Sequence, residues 1–340
     1  MDLTALHEVA ERLVAPGKGL LAADESSGTI KKRFDAIGVE STEANRRDYR
    51  ELLFRAKGPL SDHISGVILY DETIWQDAAD GTPLIALIAA AGAIPGIKVD
   101  NGAKPLPGFP GETVTEGLDG LGDRLAAYYE RGARFAKWRG VIDIGRGAPT
   151  AGAIKANAHA LARYAALCQA HQIVPVVEPE VLMDGDHDID RCDVVTRLTL
   201  QTVFRALYEQ RVALEGMVLK PNMVISGMKS GHKDTVEQVA ERTLSALKAQ
   251  APAAVPGIAF LSGGQSDEEA TAHLDAINRL GPSPWKLTFS YGRALQHAPQ
   301  TAWCGEPGNV AAAQRAFAHR ARMNSLASLG QWDSTLEKTI

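Results

Sequence analysis

Eight short apolar runs, each closed by turn residues and followed by a helix-like stretch, constrain this chain more than any other feature. The first four are G-L-L-A-A-D (19–24), G-V-I-L-Y-D-E (66–72), G-A-I-P-G-I-K-V-D (92–100) and F-A-K-W-R-G-V-I-D-I (135–144). The others are V-P-V-V-E-P-E (174–180), G-M-V-L-K-P-N-M (216–223), G-I-A-F-L-S-G-G (257–264) and P-W-K-L-T-F-S-Y-G (284–292). Several are apolar at consecutive positions, the pattern of parallel strands covered on both faces. Amphipathic stretches lie between them, with apolar spacing at Leu118, Leu121, Leu125 and Tyr128 and again over 158–168. Strands alternating with helices predict βαβ units. Eight units with starts 26 to 47 residues apart predict a closed (β/α)8 TIM barrel, an α/β fold.

An open doubly wound sheet is the competing reading, and it calls for a glycine-rich dinucleotide turn after an early strand. D-E-S-S-G-T (24–29) supplies one glycine and no GxGxxG. No Ser/Gly/Pro linker divides the chain, so residues 1–340 read as one barrel domain. A short N-terminal helix is expected from Leu3, Leu6, Val9 and Leu13. The helical spacing of 309–330 fades into a tail, about 331–340, expected to be mobile.

Bulk properties narrow the partners. Apolar residues make up 45% and charged ones 23%, the mix of a soluble globular protein, and net charge is −5. Cations are dispersed, so no basic tract recruits nucleic acid. No run of 18 apolar residues offers a membrane span, and the N-terminus lacks the pattern of a signal peptide. Cys168, Cys192 and Cys304 are far apart, without CxxC spacing, and read as inert reduced thiols of a cytoplasmic protein. The histidines form no HxH or HxxxH pair, and D-G-D-H-D-I-D (184–190) lacks the glycine and final acid of a calcium loop, so no metal is expected.

In such barrels, chemistry collects at the C-terminal strand ends. Those ends carry Asp24, Lys98, Lys137, Arg139, Glu178, Glu180, Lys220, the Ser262-Gly263-Gly264 turn, and Ser290 with Arg293. Residues two apart on a strand share a face, so Lys137 pairs in direction with Arg139 and Glu178 with Glu180. The same residues would also suit a purely architectural salt-bridge network. Chemically, Lys220 at the tip of an apolar strand is the candidate nucleophile. A free lysine has a pKa of about 10.4, so only about a few molecules in ten thousand are neutral at pH 7. Burial and a neighbouring cation, Lys137, both push in the required direction. A neutral amine attacks a ketone, and the resulting iminium is an electron sink for carbon–carbon cleavage. Glu178 and Asp24 can carry the protons.

Phosphate capture has a separate signature. L-S-G-G-Q-S-D-E-E-A (261–270) runs from a strand into a helix start, with Ser266 and Glu269 in capping-box spacing. Backbone N–H groups there make an anion site, to which Arg293 adds a bidentate contact. Thr29, Arg33 and Lys98 form a second cluster, which suggests a substrate phosphorylated at both ends.

The stretches L-L-A-A-D-E-S-S-G-T-I, A-N-R-R-D-Y-R, G-I-K-V-D, F-A-K-W-R, I-V-P-V-V-E-P-E, L-K-P-N-M-V, F-L-S-G-G-Q-S and L-T-F-S-Y-G-R-A-L-Q together resemble class I fructose-1,6-bisphosphate aldolase. This is the metal-independent, Schiff-base kind, and the likeness runs from about residue 17 to 330. It implies reversible cleavage of fructose 1,6-bisphosphate to dihydroxyacetone phosphate and glyceraldehyde 3-phosphate, without cofactor, in a homo-oligomer that is often a tetramer. It implies that Lys220 forms the imine, Glu178 is the principal acid/base, Asp24 assists cleavage, Lys137 supports the imine steps and Glu180 orients the network. Ser262, Gly263, Gly264, Ser290 and Arg293 would hold one phosphate, and Arg33, Lys98 and Arg139 would contact the other end. Thr29 stands where many members have serine and keeps the hydroxyl. One departure is the absence of a terminal tyrosine: the sequence ends on Ile340, which bears on enamine proton exchange and on the choice between fructose bisphosphate and fructose 1-phosphate. A silent sugar-phosphate scaffold and another Schiff-base barrel, such as a transaldolase, are the alternatives.

Overall fold

The structure is a computed structural model that describes residues 1–338. The eight predicted runs form eight strands: β1 (Gly19–Ala23), β2 (Ile64–Leu69), β3 (Ile94–Lys98), β4 (Phe135–Ile142), β5 (Val174–Val181), β6 (Val218–Leu219), β7 (Gly257–Phe260) and β8 (Lys286–Tyr291). Each pairs in parallel with its neighbours in sequence, and β1 closes the ring on β8 through Leu20 opposite Ser290. This is the (β/α)8 barrel expected. β6 and β7 stop short of their apolar runs, and the residues beyond them turn into loops at the mouth. A small antiparallel hairpin, Ala103–Pro105 with Thr113–Thr115, follows β3.

Strand alternation sorts the side chains. On β4, Trp138 points outward and stacks on Tyr164 of the helix Ala151–Ala170, with ring centroids 5.6 Å apart. The Tyr164 hydroxyl donates to the Ala136 carbonyl at 2.6 Å, so this ring is fixed at both ends. Phe135, Lys137 and Arg139 therefore face the barrel axis. Phe135 fills the floor, and strand glycines make room for it. A Cβ on Gly96 would lie 2.3 Å from its ring, and one on Gly66 would lie 2.9 Å away.

The expected N-terminal helix is present as Leu3–Leu13, and it plugs that floor. Asp2 caps it by accepting from the Thr4 and Ala5 N–H groups. Its buried Leu6, Ala10 and Leu13 pack with Leu20, Ile68, Ile94, Phe135, Val174 and Val218. The tail read beyond residue 330 is tied back over its described length. Trp332 N–H donates to Asp275 at 2.8 Å, its Nε1 donates to Glu337 at 3.0 Å, and Arg320 pairs with Glu337 at 2.6 Å. Ile340 lies outside the described residues.

Candidate active site

Four buried side chains on three strand ends and the residue after β1 form an alternating chain of charge. Lys220 follows the short β6 directly, and its N–H continues the ladder by donating to the Val177 carbonyl at 2.8 Å. Its side chain reaches the neighbouring strand, where Nζ sits 3.0 Å from Glu178 Oε1 on β5. The other Glu178 oxygen is 3.2 Å from Lys137 Nζ, and Lys137 reaches Asp24 at 2.7 Å. The order is Asp24, Lys137, Glu178, Lys220. The neighbouring cation expected beside Lys220 thus stands on the far side of a carboxylate.

The two acids show which force dominates. Burial alone would raise the Asp24 carboxyl, but Lys137 and Lys220 outweigh it and bring it down to about 2. Glu178 is likewise pulled below the ordinary range, its burial overcome by Lys137 and Lys220. Burial works against the charged form of Lys137 as well, yet Asp24 and Glu178 hold it well above the lysine range. Lys137 is therefore a fixed cation gripped by two acids. Among the described residues, Lys220 has one ion pair, to Glu178. The two lysines differ in their partners: Lys137 is shared by two acids, and Lys220 pairs with one.

A second ring of charge surrounds this chain. Arg139 pairs with Glu180, which keeps the guanidinium charged against the cost of burial. Lys98 pairs with Asp100 at 2.8 Å, and the Arg139 N–H donates to the same carboxylate at 3.2 Å. Arg33 pairs with Glu25, and Glu25 also accepts from Gln296 Nε2 at 2.6 Å. Thr29 lies beside Ser26, hydroxyl to hydroxyl at 3.1 Å.

The 262–266 turn leads into the helix Asp267–Arg279. The capping box is complete: Glu269 N–H donates to Ser266 Oγ, and Ser266 N–H donates to Glu269 Oε2. Gly263 has φ +51°, and a Cβ there would also meet Met183 at 2.4 Å. Among the described residues, the Ser290 hydroxyl is buried without a hydrogen-bond partner. Arg293 rests on the carbonyls of Gly263 and Gln265.

These groups line one cavity of about 800 Å³, within the range of small-molecule sites. Every residue singled out in the sequence lines it, with one exception. Gly264 lies behind the rim, and its N–H points at Met183 Sδ, 3.0 Å away. Sequence reasoning missed Asp100 and Glu25. Asp100 stands two residues after Lys98, so the face rule already applied to the lysine pair would have found it. Glu25 takes its partners from Arg33 and from Gln296 on the helix Arg293–Trp303, and no local spacing announces that.

Comparison with known proteins agrees with this geometry. A family profile described as "Glycolytic: Fructose-bisphosphate aldolase class-I" matches residues 5–340. A probable class 1 fructose-bisphosphate aldolase of Xanthomonas campestris is 58% identical over 98% of this chain and 99% of its own length. Cytosolic fructose-bisphosphate aldolase 4 of Arabidopsis thaliana is 56% identical, covering 93% of this chain and 80% of that protein. The solved Plasmodium falciparum fructose-bisphosphate aldolase, in complex with TRAP and a small-molecule inhibitor, superposes with a TM-score of 0.96. It is 50% identical, covering 98% of this chain and 96% of that one.

Proposed function

We infer the role of each site residue from one premise: the chain belongs to the class-I fructose-bisphosphate aldolase family. It is a carbon–carbon lyase that cleaves fructose 1,6-bisphosphate reversibly to dihydroxyacetone phosphate and glyceraldehyde 3-phosphate, and this class needs no metal.

Lys220 passes a proton to Glu178 and attacks the C2 ketone, giving a carbinolamine. Glu178 returns the proton to the departing hydroxyl, water leaves, and an iminium joins C2 to Nζ. Asp24 then takes the proton of the C4 hydroxyl as the C3–C4 bond breaks. The bonding pair flows into the iminium nitrogen and leaves an enamine, while C4 departs as the aldehyde. Protonation of the enamine at C3 and hydrolysis of the iminium release the second product and restore Lys220. Lys137, held charged by its two acids, stabilises negative charge that develops at the carbinolamine stage. Glu180 keeps Arg139 in place.

The two phosphates are held by separate groups of residues. Ser262, Gly263, Ser290 and Arg293 hold one, with the unpartnered Ser290 hydroxyl a ready donor. Arg33, Lys98, Arg139 and Thr29 contact the other end. Gly264 contributes through the turn rather than by its own N–H, which Met183 occupies.

The observation that carries this reading is a buried Lys220 ammonium 3.0 Å from the Glu178 carboxylate. Borohydride reduction in the presence of substrate, followed by peptide mass spectrometry, should place the adduct on Lys220; a label on another lysine rejects the assignment. Among the described residues, no helix is long and apolar enough to cross a membrane. We place the enzyme in the cytoplasm as a homo-oligomer built from one barrel domain. Sedimentation of the purified chain tests the assembly, and a monomeric mass would reject it.

A further inference from the structure

The turn that carries Ser262 and Gly263 is held from behind by two side chains that do not line the cavity. Gln265 and His273 are 3% and 4% exposed. Gln265 closes the turn twice, because its backbone N–H and its Nε2 each donate to the Ser262 carbonyl at 3.1 Å. A carbonyl only accepts, so Nε2 is fixed on that side, and Oε1 faces Nδ1 of His273. Oε1 also only accepts, so the imidazole donates through Nδ1–H. The Gln265 backbone carbonyl, in turn, accepts from Arg293 Nη2. One residue thus fixes the Ser262 carbonyl and the Arg293 guanidinium, and a histidine from the neighbouring helix holds that residue.

We propose that His273 is a positioning residue for the substrate phosphate: its hydrogen bond to Gln265 holds the 262–265 turn and Arg293 in the geometry that receives the dianion. The inference rests on the assignment of Ser262, Gly263 and Arg293 to a phosphate. The physical reason is the cost of a buried acceptor without a donor. Deprived of Nδ1–H, the Gln265 amide must turn away, and both bonds to Ser262 and the seat of Arg293 loosen with it. Burial also pushes the imidazole down to about 4, so the ring is neutral at working pH. A neutral ring has one N–H, and the geometry commits it to Gln265.

The test compares full-length variants by kcat and KM for fructose 1,6-bisphosphate and by competitive inhibition with inorganic phosphate. His273→Leu should raise both KM and the phosphate inhibition constant about tenfold, with kcat within about twofold. His273→Asn, whose amide sits where Nδ1 sits, should return both constants to within about threefold of the wild type. If the leucine variant does not fold, His273→Gln replaces it; it keeps polarity but places its amide beyond Nδ1, and the same rise is expected. An unchanged KM in a folded variant, equal losses in the leucine and asparagine variants, or a fall confined to kcat overturns the proposal. Arg293→Met separates the two layers. If it leaves both constants unchanged, the phosphate assignment itself falls; if it raises them while His273→Leu does not, only the positioning role falls.

Discussion

The two ends of the barrel are built on opposite rules. At the floor, the helix Leu3–Leu13 and the inward residues of the strands bury carbon against carbon around Phe135, and glycines are set where a Cβ would collide with its ring. At the mouth, two residues further along the same strand, Lys137 stands above Phe135 with its charge matched by acids from other strands. The floor gains its stability from hydrophobic burial and packing. The mouth gains little net stability from its buried pairs, because desolvation offsets their attraction. What the mouth obtains is a set of charges fixed in place before substrate arrives. Fold stability and reactivity therefore draw on separate residues of one strand.

The largest effect should come from the mouth. Lys220→Met removes the nucleophile and should lower kcat by on the order of 10⁴ or more, with loss of the borohydride-trapped adduct, while urea denaturation shows a folded protein. A variant that retains appreciable turnover would break the division at its centre. Next, Phe135→Ala opens a cavity in the floor and should cost about 3–5 kcal/mol in urea denaturation. Its kcat, measured where the protein is folded, should stay within about threefold; a large loss would show that floor and mouth are coupled.

Acid provides a smaller and more selective probe. Asp24 is depressed to about 2, so its contribution is present above the ordinary aspartate value and is lost as pH falls from about 4 through about 2. The loss should amount to on the order of 2 kcal/mol in urea midpoints taken at decreasing pH, and Asp24→Asn should flatten that limb. The smallest effect belongs to the exposed Arg205–Glu209 pair, 3.0 Å apart. Arg205→Ala should shift stability by less than about 0.5 kcal/mol and leave activity alone.

The barrel was legible because parallel strands covered on both faces leave unbroken apolar runs, and eight of them recur in this sequence. The reactive chain was legible for a related reason: a charge at the tip of such a run has few places to go but the mouth. Two features escaped. The strand ends were overestimated at β6 and β7, since an apolar residue in a buried loop looks the same as one in a ladder. The pairing of Glu25 with Gln296 escaped because the two meet only after the ring closes. Gly264 was read as one of two glycines whose N–H groups receive an anion, and in the structure its N–H donates to Met183 Sδ.

Ring closure sets Leu20 of the first strand against Ser290 of the last. Synthesis therefore passes residue 285 before the final stave can be fitted. Until that moment the site lacks Ser290 and Arg293, and no truncated fragment ending before β8 should possess catalytic competence.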